Sequence, residues 1–256
     1  MQDPVEKRLT LGEHLEELRS RVIRSLLCVA VGFTLCYAYI EELMDVVLRP
    51  YRAAMTSIHS TGTRPLALRP AEGFMNYLKI AFIGGLFLAG PLILYQMWKF
   101  ISAGLYKTER RAVLAYLPLS IILFVVGCIF GYVYLVPTAL EFLVAVGQKT
   151  IETHLTIGDY LDFFFLFTLL TGVSFELPMI MTFFAKIGMV TPQAYRRQWK
   201  AAILLAFVLA AILTPSPDPV TQTILAVPLY ILYEGGILLS KWAQKKAPPP
   251  PAGATP

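Results

Sequence analysis

The chain has 256 residues, of which 56% are apolar and only 15% are charged. Soluble domains carry roughly 25% charged residues. Together with a mean hydropathy of +0.61, this composition argues against an ordinary soluble protein, a disordered chain and a fibrous one. The net charge of +5 would suit a nucleic-acid-binding protein only if the basic residues clustered on one face.

Six apolar stretches are candidate membrane spans, because a bilayer core about 30 Å thick needs roughly 20 apolar helical residues. The last two are short, about 20–24 Å at 1.5 Å per residue, and we expect local bilayer thinning there. The three prolines of their link, residues 214–222, predict two spans rather than one bent span. The spans are expected at residues 24–40, 74–94, 112–136, 163–187, 201–213 and 223–239.

Local signals extend this outline on both sides of the membrane. Thr10 and Glu13 predict a helix that begins near Leu11 and continues into the first span, and Thr156 with Asp159 predicts a similar cap before the fourth span. Residues 41–48 are expected to form a short amphipathic helix that Pro50 ends. We expect one transmembrane domain over residues 1–242 and a disordered, Pro/Ala-rich tail over residues 243–256.

The basic residues are distributed unequally between the links. Of the 22 Lys and Arg residues, 16 fall in the N-terminal segment, the second and fourth links and the tail. The positive-inside rule therefore predicts six spans with both termini in the cytoplasm. This distribution also explains the net charge without a nucleic-acid partner.

Glu176 stands at the middle of the fourth predicted span, two residues before Pro178. A charge at that depth costs roughly 2.5–3.5 kcal/mol on insertion scales. Glu176 is therefore either a neutral side chain bonded to a neighbouring helix or a polar contact inside a cavity, and Pro178 is expected to bend the helix. Glu234, in the last span, is equally compatible with an intramembrane polar group like Glu176 and with a partly solvated charge at the membrane interface. Asp218 reads as a turn residue.

Carboxylates also recur on the predicted cytoplasmic face. Glu13, Glu16 and Glu17 share one helix, on which Arg21 follows Glu17 at the spacing of an ordinary stabilising pair. Glu109 opens the third span, where the helix dipole favours a negative charge. A solvated surface would explain each residue separately, but together they could bind arginine side chains through bidentate hydrogen bonds.

The sequence offers no constellation for catalysis or for a metal. Its three histidines, His14, His59 and His154, are scattered, and it has no phosphate loop, no nucleophile elbow and no zinc spacing. We therefore expect no enzyme activity, no catalytic or metal-ligating residue and no cofactor.

Several motifs resemble TatC, the polytopic core of the twin-arginine protein translocase, in the family's order and over most of the chain. They are His14-Leu15-Glu16-Glu17-Leu18-Arg19, Pro91-Leu92-Ile93-Leu94-Tyr95-Gln96 with Trp98 and Phe100, Leu105-Tyr106-Lys107-Thr108-Glu109-Arg110-Arg111, Gly172-Val173-Ser174-Phe175-Glu176-Leu177-Pro178, and Thr214-Pro215 and Gln222-Thr223 with Pro228 and Glu234. The resemblance implies an all-α, six-helix membrane protein with a concave, glove-like shape.

The resemblance also implies a function and its residues. It implies a receptor in the bacterial inner membrane for the twin-arginine signal peptides of folded precursors. Its expected partners are the single-span subunits TatA and TatB, other TatC copies and the lipid bilayer. By position it implies signal-peptide binding at Glu17, Arg19, Phe100 and Glu109, an intramembrane contact at Glu176, partner docking at Thr214 and Gln222, and an outer-loop proline at Pro50.

Two features depart from the family's pattern. The hairpin 216–219 is longer than the usual form, which leaves the match at Asp218 and the register to Gln222 open. Glu16 adds a carboxylate where the family often has a neutral residue.

The alternative function is a secondary transporter with Glu176 as a proton or ion site. Such folds usually contain repeats and paired broken helices, and the sequence shows neither.

Overall fold

The computed structural model describes residues 11–57, 65–66, 71–104, 114–147, 156–213 and 218–245. These residues are almost entirely helical, with one isolated bridge between Leu66 and Thr156 and no strand among them. A π-helical turn, Gly131–Leu135, joins the helix that ends at Phe130 to the helix that begins at Val136. The helices are α1 (Leu11–Ala38), α2 (Ile40–Ser57), α3 (Glu72–Ala103), α4 (Leu117–Phe130), α5 (Val136–Gly147), α6 (Ile157–Ser174), α7 (Leu177–Lys186), α8 (Pro192–Arg197), α9 (Trp199–Leu213) and α10 (Pro219–Lys245).

Helices of membrane-spanning length confirm the expected all-α polytopic fold. Five helical stretches of the described chain are long and apolar enough to cross a bilayer, and α9 supplies a shorter apolar helix over Trp199–Ile212. Each of the six predicted spans overlaps one of these stretches. The five long ones are Gly12–Ala38, Glu72–Ala103, Leu117–Ala145, Ile157–Lys186 and Pro219–Gln244.

The expected end of the amphipathic helix at Pro50 is wrong. Helix α2 continues through Pro50 to Ser57. Proline lacks an N–H and leaves the carbonyl four residues earlier without its helical donor. That carbonyl belongs to Val46, and the Tyr132 hydroxyl donates to it at 2.7 Å. A side chain from another helix thus replaces the missing backbone donor, and Pro50 lies buried inside a helix rather than in a loop.

The last helix also differs from its prediction. Helix α10 has 27 residues, about 40 Å at 1.5 Å per residue, so the expectation that the sixth span is too short for the bilayer is wrong. Only α9 is as short as expected: its 15 residues reach about 22 Å, less than the thickness of the hydrocarbon core. Helix α10 continues to Lys245, past the expected start of the tail at residue 243, and residues 246–256 lie outside the described part.

The chain divides into two compact units, Met1–Val173 and Ser174–Pro256. In the first unit, α1 and α3 run antiparallel and approach each other closely at two glycines. A Cβ atom added to Gly32 would lie 2.6 Å from the Gly85 carbonyl oxygen. Glycine at both positions therefore allows the two backbones to touch, as small residues do between membrane helices.

Other contacts of the first unit fix α4 and α2. The buried Trp98 indole on α3 donates to the Ser120 hydroxyl on α4 at 2.9 Å. Helix α2 packs on α5 and buries Val47, Tyr51 and Met55. The Trp98–Ser120 bond satisfies the polar atoms of two buried side chains, as buried polar groups require.

In the second unit, α10 packs against both α7 and α9. A Cβ atom on Gly236 would lie 2.5 Å from the Met181 sulfur and 3.2 Å from the Pro178 Cα, so α10 approaches α7 closely at this point. Buried Met179, Leu225 and Ile237 fill the interior of the unit.

Candidate functional site

The Glu17 carboxylate on α1 is half-buried and already holds a guanidinium. Arg21 donates to Glu17 Oε1 from Nη2 at 2.8 Å and from Nε at 3.3 Å. The two side chains are 24% and 13% exposed, so the pair is shielded from water more than an ordinary surface pair. The predicted one-turn pairing of these residues is confirmed, and its setting is partly shielded rather than a fully solvated helix face.

Gln96 completes this cluster from α3. Arg21 Nη1 donates to Gln96 Oε1 at 3.0 Å, so the same guanidinium joins α1 to α3. The position follows from the antiparallel packing, because residues 21 and 96 each lie 11 residues beyond the Gly32–Gly85 crossing. Glu17, Arg21 and Gln96 therefore form one polar cluster, called here the Glu17 cluster.

An aromatic stack borders the Glu17 cluster. The rings of His14 and Phe100 lie 4.4 Å apart between centroids and 20° from parallel. The anchoring of Trp98 by Ser120, two residues before Phe100, fixes this end of α3. The structure thus brings Phe100 to the same ends of α1 and α3 as Glu17, which gives the site one acidic and one aromatic side.

Two other predicted residues of this site are placed differently. Arg19 is exposed on α1, and among the residues the structure describes it has no recorded hydrogen bond or ion pair. Glu16, next to Glu17 in the chain, is also exposed. Glu109 lies outside the described residues, so its place relative to Glu17 stays a prediction.

Glu176 occupies a break in the fourth span. Helix α6 ends at Ser174 and α7 begins at Leu177, so Glu176 lies in a two-residue turn with Pro178 in the first turn of α7. Its side chain is only 4% exposed, and its carbonyl accepts from the Met179 and Ile180 amides at 2.9 and 3.0 Å. The expected disturbance of the helix at Pro178 is confirmed as an interruption, and the carboxyl group lies at the positive end of α7.

Glu234 takes part in a polar cluster of the second unit. Arg196 on α8 forms an ion pair with Glu234 on α10, and the Tyr230 hydroxyl donates to Glu234 at 2.8 Å. The Tyr233 hydroxyl donates to the Tyr195 carbonyl at 2.6 Å. Burial raises the pKa of the Tyr195 hydroxyl, and this hydroxyl donates to the Met181 carbonyl at 3.3 Å. Glu234 is therefore a partly exposed, paired charge that ties α8 to α10.

Asp218 caps helix α10. Its carboxylate accepts from the Val220 and Thr221 amides at 3.1 and 2.8 Å, as a helix N-cap does. Asp218 thus lies in the turn before α10 and has the additional role of its cap; the Asp218-Pro219 dipeptide was the available signal for that role, since proline favours the first helical position. Gln222, expected in the link, lies half-buried in α10. Thr214 lies outside the described residues.

The site contains two residues that the sequence interpretation did not select. His14 and Gln96 belong to motifs that carried the family resemblance, but nothing local assigned them a contact. Residues 21 and 96 are 75 positions apart, so only the packing of α1 on α3 shows that they meet. Within the described ranges, no group of three His, Cys, Asp or Glu residues could hold a metal ion.

Comparisons with known proteins agree with the resemblance. A family model described as Sec-independent protein translocase protein (TatC) matches residues 13–228. The chain is 39% identical over 241 residues to the Sec-independent protein translocase protein TatC of Desulforapulum autotrophicum, covering 94% of this chain and 87% of the relative. It is 40% identical over 227 residues to the same-named protein of Koribacter versatilis, covering 89% and 83%.

A solved structure is similar over nearly the whole fold. The crystal structure named Twin Arginine Translocase Receptor TatC superposes with a TM-score of 0.77 at 33% identity, covering 91% of this chain and 100% of that chain. The similarity therefore extends over both sequence and architecture, and it includes the helices that carry the Glu17 cluster and Glu176.

Proposed function

The chain belongs to the TatC family of Sec-independent protein translocase proteins, and from this membership we propose that it is the receptor for twin-arginine signal peptides at the core of a Tat translocase. It would export folded precursors across the bacterial cytoplasmic membrane. The protein is a multi-pass membrane protein and a component of a transport system, and we propose no enzymatic activity and no cofactor for it.

One observation carries this proposal: the Glu17 carboxylate has the geometry and shielding that a guanidinium ligand needs. Both hydrogen bonds from Arg21 end on Oε1, and no described residue donates to Oε2. A second guanidinium can therefore approach Oε2 at a carboxylate that is only 24% exposed. Charge-assisted hydrogen bonds in such a partly desolvated site are stronger than those at an open surface.

The neighbouring residues extend this site in the proposal. The Phe100 ring, stacked on His14, offers an apolar surface beside the carboxylate for the side chains that flank the arginine pair. Glu109 would supply the second carboxylate, and the exposed Arg19 would contact the peptide from the rim. Glu176, which is only 4% exposed, would supply an intramembrane polar contact.

The proposal places the Glu17 cluster on the cytoplasmic side. Most basic residues fall in the segments that the positive-inside rule assigns to the cytoplasm, and α1 begins in one of them. Both termini would then be cytoplasmic, and a signal peptide emerging there would meet Glu17 first.

We propose that partner subunits dock at the ends of α9 and α10 that face away from the cytoplasm. Gln222 in the first turns of α10, together with Thr214, would form a polar docking surface for the single-span subunits TatA and TatB. Other copies of this chain would complete the assembly. Pro50 would contribute to the assembly through the shape of α2. Glu234 would contribute through the ion pair with Arg196 that links α8 to α10.

The direct test of receptor function is charge reversal at Glu17. Glu17→Arg should weaken photocrosslinking of the full-length protein to an Arg-Arg precursor by about 10-fold or more, since a hydrogen bond to a charged group contributes about 1.5–3 kcal/mol. A Lys-Lys precursor should be affected less, because only a guanidinium can bind the carboxylate bidentately. Glu17→Gln, which still accepts from Arg21, should weaken crosslinking less, and the Arg-Arg precursor should again be affected more than the Lys-Lys precursor.

Glu16→Arg is the matched control, because Glu16 is exposed on the same helix and the charge change is the same. Its crosslinking should stay near that of the unsubstituted protein. Equal crosslinking in Glu17→Arg and the unsubstituted protein, or equal losses in the Glu16 and Glu17 variants, would contradict the recognition site.

The transporter alternative has no supporting observation in the fold or the comparisons. A deletion strain separates the two functions, because a translocase mutant fails to export folded, cofactor-loaded proteins whereas a transporter mutant fails to take up a small solute.

A further inference from the structure

Three cations, Arg21, Arg24 and Lys99, lie within about one helical turn of the level of Tyr95 where α1 packs on α3. Lys99 Nζ lies 3.1 Å from the Tyr95 hydroxyl and 5.3 Å from the centroid of the Tyr95 ring. The Arg21–Gln96 and Gly32–Gly85 contacts pair α1 with α3 in antiparallel register, which places Arg24 opposite Ile93, two residues from Tyr95. Arg24 and Tyr95 are exposed, so the group faces outward from the first unit.

Among the residues that the structure describes, two of the three cations have no acidic partner. Arg21 is held by Glu17 and Gln96. For Arg24 and Lys99, the described residues record no ion pair with any carboxylate. The exposed surface of α1 and α3 at this level therefore carries two positive charges that no described carboxylate compensates, beside a hydroxyl that can donate a hydrogen bond. That combination is complementary to a phosphate group.

Exposed apolar side chains continue from the cations along both helices. On α3, Leu92 and Leu88 lie 7 and 11 residues before Lys99, which places them within about 20° of it around the helix axis. On α1, Val31 and Leu35 lie 7 and 11 residues after Arg24, with the same angular relation. All four apolar side chains are about half exposed or more. Each helix thus presents a cation and then an apolar stripe on one face.

The two stripes lead to a groove between α1, α2 and α3. The groove has a volume of about 290 Å³, and Leu35 and Leu88, the last members of the two stripes, line it. Its other lining residues are apolar apart from Glu42, namely Cys36, Tyr39, Leu43 and Val46. It lies 11 residues from each cation, about 16 Å along the axis, which is close to half of a hydrocarbon core about 30 Å thick.

We propose that the α1–α3 seam binds one anionic phospholipid, whose headgroup phosphate lies against Arg24, Lys99 and Tyr95 and whose acyl chain follows the apolar stripes into the Leu35–Leu88 groove. Charge complementarity and the continuity of cations, stripe and groove identify this occupant. The positive charge also disfavours a signal peptide, whose arginines would be repelled here. The site is separate from the proposed receptor function, and its test does not depend on precursor binding.

The test measures lipid binding to the purified full-length protein by native mass spectrometry, with phosphatidylglycerol and phosphatidylcholine of matched acyl chains. The unsubstituted protein should retain phosphatidylglycerol preferentially. Arg24→Gln with Lys99→Gln should lower phosphatidylglycerol affinity by about 30-fold, about 2 kcal/mol for two cations, and should lower phosphatidylcholine affinity much less, because its headgroup has no net charge. Loss of the preference without loss of the folded protein supports the headgroup site.

Lys200→Gln with Lys241→Gln is the matched control, because both residues are exposed and the charge change is identical. Equal losses in the two double variants would overturn the proposal, since the preference would then come from net charge. Equal binding of the two lipids by the unsubstituted protein would overturn it as well.

A second variant tests the acyl chain. Leu88→Trp fills the groove and should weaken long-chain phosphatidylglycerol while sparing the dioctanoyl form. Equal weakening of both forms would contradict the groove assignment. Displacement of bound phosphatidylglycerol by millimolar inorganic phosphate would show that the cations take a free anion rather than a lipid, and would overturn the proposal.

Discussion

Pro50 removes one backbone donor from α2, and Tyr132 supplies another. The Tyr132 hydroxyl donates to the Val46 carbonyl at 2.7 Å, at the position where the amide of a non-proline residue would donate. A sequence pattern treats a proline as a helix end because it considers only local donors. The helix continues here because the replacement donor comes from a residue 86 positions away.

A double-mutant cycle tests this replacement. Tyr132→Phe should destabilise the protein by about 1 kcal/mol, because the Val46 carbonyl loses its donor. In a Pro50→Ala background the same change should cost less, since the new amide can donate to Val46 itself. Thermal unfolding of the four proteins in detergent measures the coupling, and independent, additive effects would contradict the replacement.

Short-range pairs in this chain were predictable and long-range pairs were not. The Glu17–Arg21 pair and the Thr156–Asp159 cap follow from spacings of four and three residues, and the structure contains both. The bond from Arg21 to Gln96 depends on how α1 packs on α3, which no periodicity specifies. The sequence therefore indicated half of the Glu17 cluster, and tertiary packing supplied the rest.

At the scale of the elements, the crossing of α1 and α3 sets the geometry of the site. Gly32 and Gly85 bring the two backbones into contact, and the Glu17 cluster lies three helical turns away on both helices. The hydropathy pattern predicted both helices. The helices are longer than the predicted apolar spans, because a helix can continue past the apolar core of a membrane. The pairing of the helices depends on two small residues that a composition analysis does not distinguish from other glycines.

A single methyl group should disturb this crossing. Gly32→Ala places a Cβ 2.6 Å from the Gly85 carbonyl oxygen, and backbone atoms cannot rotate away as side chains can. We expect a loss of stability of about 1–3 kcal/mol, measured as a lower midpoint of thermal unfolding in detergent. Gly12→Ala is the control on the same helix, because no atom lies within 4 Å of the added Cβ. An unchanged midpoint for Gly32→Ala would refute the tight crossing.

At the scale of the whole molecule, the distribution of basic residues predicts the orientation. Basic residues cluster at the N-terminus and in alternate links, and the helices long enough to span a bilayer lie between these segments. Orientation depends on the membrane and on insertion, so it comes from charge asymmetry rather than from internal contacts. The same asymmetry accounts for the net charge of +5 that the composition shows.

Single cysteines can test this orientation in intact cells. In a chain whose three native cysteines are replaced, a membrane-impermeant maleimide should label Arg52→Cys, on the exposed side of α2, without lysis. Glu16→Cys should react only after lysis, because the proposal places it in the cytoplasm. The reverse labelling pattern would invert the orientation, and labelling of both residues in intact cells would contradict a single orientation.

Arg21 gives the Glu17 cluster a property that an empty acidic pocket would lack. An arriving guanidinium does not meet a bare carboxylate, because Oε1 already has a resident one. Binding is then an exchange or a sharing of ligands, so most of the ion-pair energy is present before and after the encounter. If the proposed receptor binds its signal here, it would discriminate by shape while its net affinity stays low. Cargo held so loosely would leave without an energy source dedicated to its release.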